Sequence, residues 1–236
     1  MPIAAPLSII KGVPSVLLVR HGQASFGAED YDVLSPAGVR QSELLAAALK
    51  RRGVVPARLV SGTLRRQRET AAAFAEYGEV ELDGRWDEYD ANEVLTHHAE
   101  TAMRLDGPGG LGDGKVDNRA FHGMLEPALA AWVEAGDGSP SAPSWPVFTA
   151  AGAAGLESLG AELGRGETAL VFTSGGVIAA ICAALLGSPE AFLPINRVLV
   201  NASVTKLGLG SAGTNLISVN EHSHLEEVDR ALITYR

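Results

Sequence analysis

A single cysteine, Cys182, serves the whole chain, so no internal disulfide can form. It lies within the apolar run VIAAICAALL and reads as a small core hydrophobe. The six histidines show no HxxxH spacing and one cysteine cannot make CxxC, so no structural zinc is expected. Long basic runs are also missing, and the formal net charge is -9, which argues against a nucleic-acid partner. No stretch reaches the roughly 18–20 uninterrupted apolar residues of a membrane span. The opening MPIAAPLSIIKGVP has Pro2, Pro6 and a mid-run Lys11, and it lacks the basic start and unbroken apolar centre of a signal peptide. A cytoplasmic protein with neither a membrane nor a nucleic-acid partner is the expectation, and no internal repeat is found.

What remains is a chain of 236 residues, 46% of them hydrophobic, enough for one large domain or one domain with an inserted subdomain. Strand and helix signals alternate, which predicts a mostly parallel sheet covered on both faces. Residues 13–20 form the first strand. Ser35-Pro36 opens a helix that Gly53 ends, with Ser35 as N-cap and Pro36 at the first helical position. Arg58 to Ser61 is a second strand, followed by a helix from about Leu64 to Tyr77 and a short strand over Val80–Leu82. Thr168 to Thr173 is another strand, and the helix 177–186 follows it. Ser203–Leu209 and Asn215–Val219 form a hairpin around Gly210–Gly213, giving the sheet an antiparallel edge. Between these parts, residues 92–150 read as an insertion that packs over the site. An Ala-rich amphipathic helix is expected over 117–135, another over Val147–Leu163, and mobility over Leu105–Gly114. His97, His98 and His122 in this region, and His222 and His224 near the end, read as surface residues.

Chemistry concentrates at strand ends, where open α/β sheets bind ligands. The apolar run VLLV ends in Arg20-His21-Gly22-Gln23. Arg20 offers a planar fork of donors for phosphate, His21 can be base, ligand or nucleophile, and Gly22 lets the backbone approach a ligand closely. The second strand ends in Ser61-Gly62-Thr63-Leu64-Arg65-Arg66-Gln67-Arg68. Three arginines at a helix N-terminus conflict with its positive dipole, and an anion there would resolve the conflict. One arginine is therefore expected to turn inward, with Arg65 and Arg68 solvated. Asp87, Glu88 and Asp90 follow Trp86, and a carboxyl desolvated by Trp86 and Tyr89 would gain general-acid character. Thr173-Ser174-Gly175-Gly176 is a strand–turn–helix corner whose backbone N–H groups suit an anion, with Ser174 as helix N-cap.

Taken together these motifs resemble the histidine phosphatase superfamily, the phosphoglycerate mutase-like proteins. The resemblance rests on Arg20-His21-Gly22, on Ser61, Leu64, Arg66, Thr70 and Ala71, on Glu88, and on Ser174-Gly175-Gly176. The helix start Leu34-Ser35-Pro36-Ala37-Gly38-Val39-Arg40-Gln41 matches as well. It implies a three-layer α/β/α sandwich, mostly parallel with an antiparallel edge, as a single domain over 1–236 with a helical cap inserted at about 92–150. It also implies a metal-free phosphatase without cofactor. His21 would be the phosphorylated nucleophile and Glu88 the acid and base, while Arg20, Arg66, Ser174, Gly22, Gln23 and Gly175 hold the phosphoryl group of a small substrate. The family's usual second histidine is Ser174 here, which donates a hydrogen bond without bringing charge. Two other readings stay open: a mutase, although the Trp-Asn pair of the glycolytic mutases is absent, and a weakened phospho-ligand-binding protein. A homodimer is likewise left open.

Overall fold

The computed structural model describes residues 12–25, 32–106 and 118–235. Among these, six strands form one sheet in the order β3-β2-β4-β1-β5-β6. They are β1 (Ser15–Arg20), β2 (Arg58–Ser61), β3 (Glu81–Leu82), β4 (Thr168–Thr173), β5 (Val204–Gly210) and β6 (Gly213–Glu221). The pairs β1–β4, β2–β4 and β2–β3 are parallel, while β5 runs antiparallel to β1 and to β6. The expected mostly parallel sheet with an antiparallel edge is therefore what forms.

Alternation along the strands feeds two cores. Leu17, Val19, Leu59, Leu170 and Phe172 face one side, against Leu45 and Leu49 of α1 (Pro36–Arg51) and Ala71 of α2 (Arg65–Ala72). Val16, Leu18, Val60, Ala169 and Val171 face the other. There they meet residues of α4 (Asn118–Ala135), α5 (Trp145–Glu162) and α6 (Gly175–Leu185), with Phe192 from the start of α7 (Phe192–Val198). Period-two apolar strands buried on both faces are what a helix-covered sheet requires. A further long helix, α3 (Ala91–Asp106), packs on α4, and the four-residue α8 (Ser223–Glu226) packs on α1. No helix among the described residues is long and apolar enough to cross a membrane.

Several elements differ from the expectation. The helix over 64–77 stops at Ala72, and a 3₁₀ turn over Ala75–Tyr77 follows as Phe74 turns into the core, 5.0 Å between ring centroids from Phe172. No periodic signal predicts α7, because Pro189 and Pro194 interrupt that stretch. The helix expected from Val147 begins at Trp145, so it crosses residue 150 without a break. The stretch Leu105–Gly114, expected to be mobile, lies mostly outside the described residues.

Three histidines read as surface groups are not, His222 being half-buried like His224. His98 is buried, with Nε2 2.9 Å from the Ser139 hydroxyl. His224 on α8 is half-buried, and burial, with the neighbouring His222 second, pulls its pKa down to about 4. Cys182 is buried as expected, and burial pushes its thiol up to about 11, which makes it unreactive.

Candidate active site

Parallel pairing brings the carboxyl ends of β1, β2 and β4 to the same edge of the sheet, with Arg20 opposite Thr173 and Ser61 opposite Phe172. After β1 the chain leaves the ladder, and the loop Arg20–Gln23 is held by individual backbone bonds. His21 N–H donates to the Thr173 carbonyl at 2.9 Å, and Gly22 N–H donates to Thr70 Oγ1 at 2.9 Å. A side chain at Gly22 would put Cβ 2.5 Å from the Gly38 carbonyl, so only glycine lets α1 approach this closely. Gln23 N–H donates to Gln41 Oε1, and its own Oε1 accepts from the Ser35 hydroxyl at 2.8 Å. Ser35 caps α1 as expected, accepting from Gly38 N–H at 3.1 Å.

The imidazole of His21 is buried, at 6% exposure. Its Nδ1 lies 2.7 Å from the Gly22 carbonyl, which can only accept, so Nδ1 carries the proton. Its Nε2 accepts from Arg66 Nε at 3.3 Å, a group that can only donate. Both contacts select one neutral tautomer with the lone pair on Nε2. Burial first, then the Arg66 and Arg20 charges, hold the pKa well below the ordinary 6.5, against a smaller opposing pull from the Gly22 carbonyl. The ring therefore stays neutral at physiological pH.

Of the three arginines at the start of α2, Arg66 turns inward, with its side chain 12% exposed, while Arg65 and Arg68 are exposed. The anion that answers their charge belongs to the protein itself. Asp32 Oδ1 pairs with Arg66 Nη1 at 2.6 Å, and its Oδ2 accepts from Arg65 N–H at 2.7 Å. One carboxylate thus serves the helix N-terminus and fixes the arginine that faces His21. Sequence reasoning sensed this conflict but did not find Asp32, which arrives from a separate loop. Arg20 is buried, and its Nη1 donates to the Leu199 carbonyl.

The three acids after Trp86 have different duties. Asp87 accepts from Thr63 N–H and from its hydroxyl, both at 2.5 Å. Asp90 accepts from Asn92 N–H and Glu93 N–H at the start of α3. Only Glu88 of the three reaches the β4–α6 corner, where Oε2 accepts from Gly176 N–H at 2.9 Å. A Cβ on Gly176 would come 2.1 Å from Glu88 Oε1, so that glycine makes room for the carboxylate. A Cβ on Gly175 would lie 3.4 Å from Arg20 Nε and 3.1 Å from Asn196 Oδ1. The sheet edge thus collects one neutral imidazole, two guanidinium groups, the carboxyl groups of Glu88 and Asp32, and the N-terminus of α6.

Residues 16–109 and 118–222 match the histidine phosphatase superfamily, branch 1. The chain belongs to this superfamily. No curated protein matches the sequence. Among solved structures it is similar to a mycobacterial glucosyl-3-phosphoglycerate phosphatase, at 25% identity and TM-score 0.59 over 88% of this chain and 98% of that one. It is similar in fold to a phosphoserine phosphatase from Entamoeba histolytica in complex with 3-phosphoglyceric acid, at 20% identity and TM-score 0.61, covering 90% and 99%. A phosphoglycerate mutase from Bacillus anthracis shares the fold at 18% identity and TM-score 0.63, covering 91% and 96%.

Ser174 lies at the same corner, between β4 and α6. Its backbone is at the N-cap of α6, but its side chain makes no capping bond. The residue is fully buried, and Oγ accepts from Gln67 Nε2 at 2.9 Å. Gln67 is itself fully buried and donates also to the Trp86 carbonyl at 3.0 Å, a carbonyl that Thr173 Oγ1 reaches at 2.6 Å. The hydroxyl is therefore packed under the corner against an amide from α2, with no exposed surface toward a ligand. A long-range side-chain pair of this kind leaves no local sequence signal. It does set the outcome of restoring an imidazole. Ser174→His would drive a ring into the space that Gln67 fills, and overpacking of this kind costs about 1–3 kcal/mol. The expected result is a lower melting temperature and a lower kcat on an aryl phosphate. A higher kcat would show that the corner has room.

Proposed function

We propose that this protein hydrolyses small phosphomonoesters in two steps through a phosphohistidine on His21, without a metal. The observation that carries the proposal is the fixed tautomer of His21, with a lone pair on Nε2 beside two arginines. In the first step Nε2 forms a bond to phosphorus as the ester P–O bond breaks, and Glu88 gives its proton to the departing alcohol oxygen. In the second step water attacks phosphorus, Glu88 takes the water proton, and the N–P bond breaks to return neutral His21. The Gly22 carbonyl steadies the charge that Nδ1–H acquires in the phosphoenzyme. Arg20, Arg66 and the backbone at Gly175 hold the phosphoryl oxygens, so preorganised charge supplies most of the stabilisation. Gln23 supports the loop through Ser35, and Ser174 supports the corner through Gln67.

The phosphatase similarity at 25% identity supports hydrolysis over transfer, and it points to phosphorylated small metabolites as the substrate class. The test is p-nitrophenyl phosphate and 3-phosphoglycerate, each with excess chelator. Release of inorganic phosphate from the aryl ester that the chelator leaves unchanged is expected, with no conversion of 3- to 2-phosphoglycerate. Interconversion without phosphate release would make the protein a mutase. Loss of activity that an added divalent ion restores would remove the metal-free mechanism. Saturable binding of phosphomonoesters with no turnover would favour the ligand-binding reading that Ser174 suggests.

A further inference from the structure

The loop that carries His21 is braced from behind by the C-terminal segment. Two buried amides flank the loop. Gln41 of α1 accepts from Gln23 N–H at 2.8 Å through Oε1. Asn201, ahead of β5, donates from Nδ2 to the His21 carbonyl at 3.2 Å. Neither amide reaches the other. Thr234 joins them: its hydroxyl accepts from Gln41 Nε2 at 2.8 Å and donates to Asn201 Oδ1 at 2.9 Å. Donors and acceptors then run head to tail, from Gln23 N–H to Gln41, to Thr234, to Asn201, and back to the His21 carbonyl. The chain of bonds starts and ends in the catalytic loop. Bonds arranged in one direction polarise one another.

The rest of the segment is fixed to the same two residues. The Thr234 carbonyl accepts from Asn201 N–H at 2.8 Å, and the Leu232 carbonyl accepts from Gln41 Nε2 at 2.7 Å. Next to Asn201, Ala202 holds φ at 56°, the left-handed region that a residue with a Cβ rarely adopts. That conformation lets its N–H donate to the Arg20 and His21 carbonyls at 3.1 and 3.2 Å. Strained backbone persists where its surroundings over-determine it, and it clusters at functional sites. The position at 234 calls for a group that accepts one hydrogen bond and donates another, and in so small a side chain only a hydroxyl does both.

We infer that Thr234 is a positioning residue for the nucleophile, acting through Asn201 and Gln41 on the backbone on either side of His21. The inference rests on the reading of His21 as nucleophile. It gives the C-terminal segment a part in catalysis without contact with substrate.

The test compares Thr234→Val, Thr234→Ala and Thr234→Ser with wild type in the full-length chain, using p-nitrophenyl phosphate. Valine keeps the volume and removes both bonds, alanine also vacates the space, and serine keeps the hydroxyl. Valine and alanine are each expected to lower kcat about tenfold, since a misplaced reacting group is costly even when the displacement is small. KM should stay within about twofold, because the affected interaction acts on the chemical step. The rate of phosphoryl labelling should fall in proportion, with cooperative melting retained, and serine should restore kcat. Wild-type kcat in either the valine or the alanine variant would overturn the inference. So would a serine variant as impaired as the valine one, or an effect confined to KM. If wild type is not phosphorylated, or if His21→Ala remains active, the nucleophile reading itself is lost. A labelled wild type, a dead His21→Ala and a fully active Thr234→Val would remove the brace alone.

Discussion

His21→Ala is expected to lose all measurable hydrolysis of aryl and alkyl phosphates, together with all phosphoryl labelling. Its ring is the imidazole that faces Arg66, and both of its hydrogen bonds leave the lone pair on Nε2. Its removal leaves Arg20 and Arg66 to bind phosphate without a group to accept the phosphoryl. Removing one member of a catalytic set commonly costs as much as removing all of it, a loss on the order of 10⁶ in kcat in a well-studied protease. Binding of inorganic phosphate should survive, because the arginines keep their anchors at Leu199 and Asp32. Turnover within about tenfold of wild type would assign the chemistry to another group, since so small a loss is far below that expected for a nucleophile.

Glu88→Gln is expected to separate substrates by leaving group. The amide oxygen of glutamine still accepts from Gly176 N–H, so the β4–α6 corner keeps its geometry. What is lost is the exchangeable proton. General acid–base assistance is worth about 10²–10⁴ in rate, and alkyl phosphates, whose alcohols leave poorly, need all of it. p-Nitrophenol leaves as a stable anion, so phosphorylation of His21 by its ester should slow by less than about tenfold. The second step still needs a base to activate water. Phosphoenzyme should therefore accumulate in the variant, visible as a burst of nitrophenol followed by a slow steady rate. Equal losses on both substrate classes without a burst would assign Glu88 to holding the corner alone.

The sequence carried the sheet and its loaded edge because both are local signals. Apolar strands that run into Arg20-His21, Ser61-Gly62 or Thr173-Ser174 put period-two burial next to polar residues that have no role in a core. The inward turn of Arg66 was legible as an electrostatic conflict at a helix start. Its counterion was not, because Asp32 lies in a loop whose approach depends on the tertiary fold. The resemblance picks out Glu88 by its motif position, but what Asp87 and Asp90 do instead is visible only in their partners Thr63, Asn92 and Glu93. Pairings such as Gln67 with Ser174, or Thr234 with Gln41 and Asn201, join residues far apart in the chain and leave no periodicity to read. The region 92–150 was neutral in composition for a related reason. Its organisation comes from Trp132 and Phe148 packing on Tyr89, with Trp145 against Trp132, contacts between elements that the sequence does not place side by side.

The central claim is that Nε2 of His21 carries the phosphoryl group. The most direct measurement is ³¹P NMR and tandem mass spectrometry of enzyme quenched in base during turnover of an aryl phosphate. One phosphoramidate, stable in base and lost in acid, is expected on the Nε2 position of His21. A label on Nδ1 would contradict the hydrogen bond that places the proton there, and a label on any other residue would contradict the nucleophile itself.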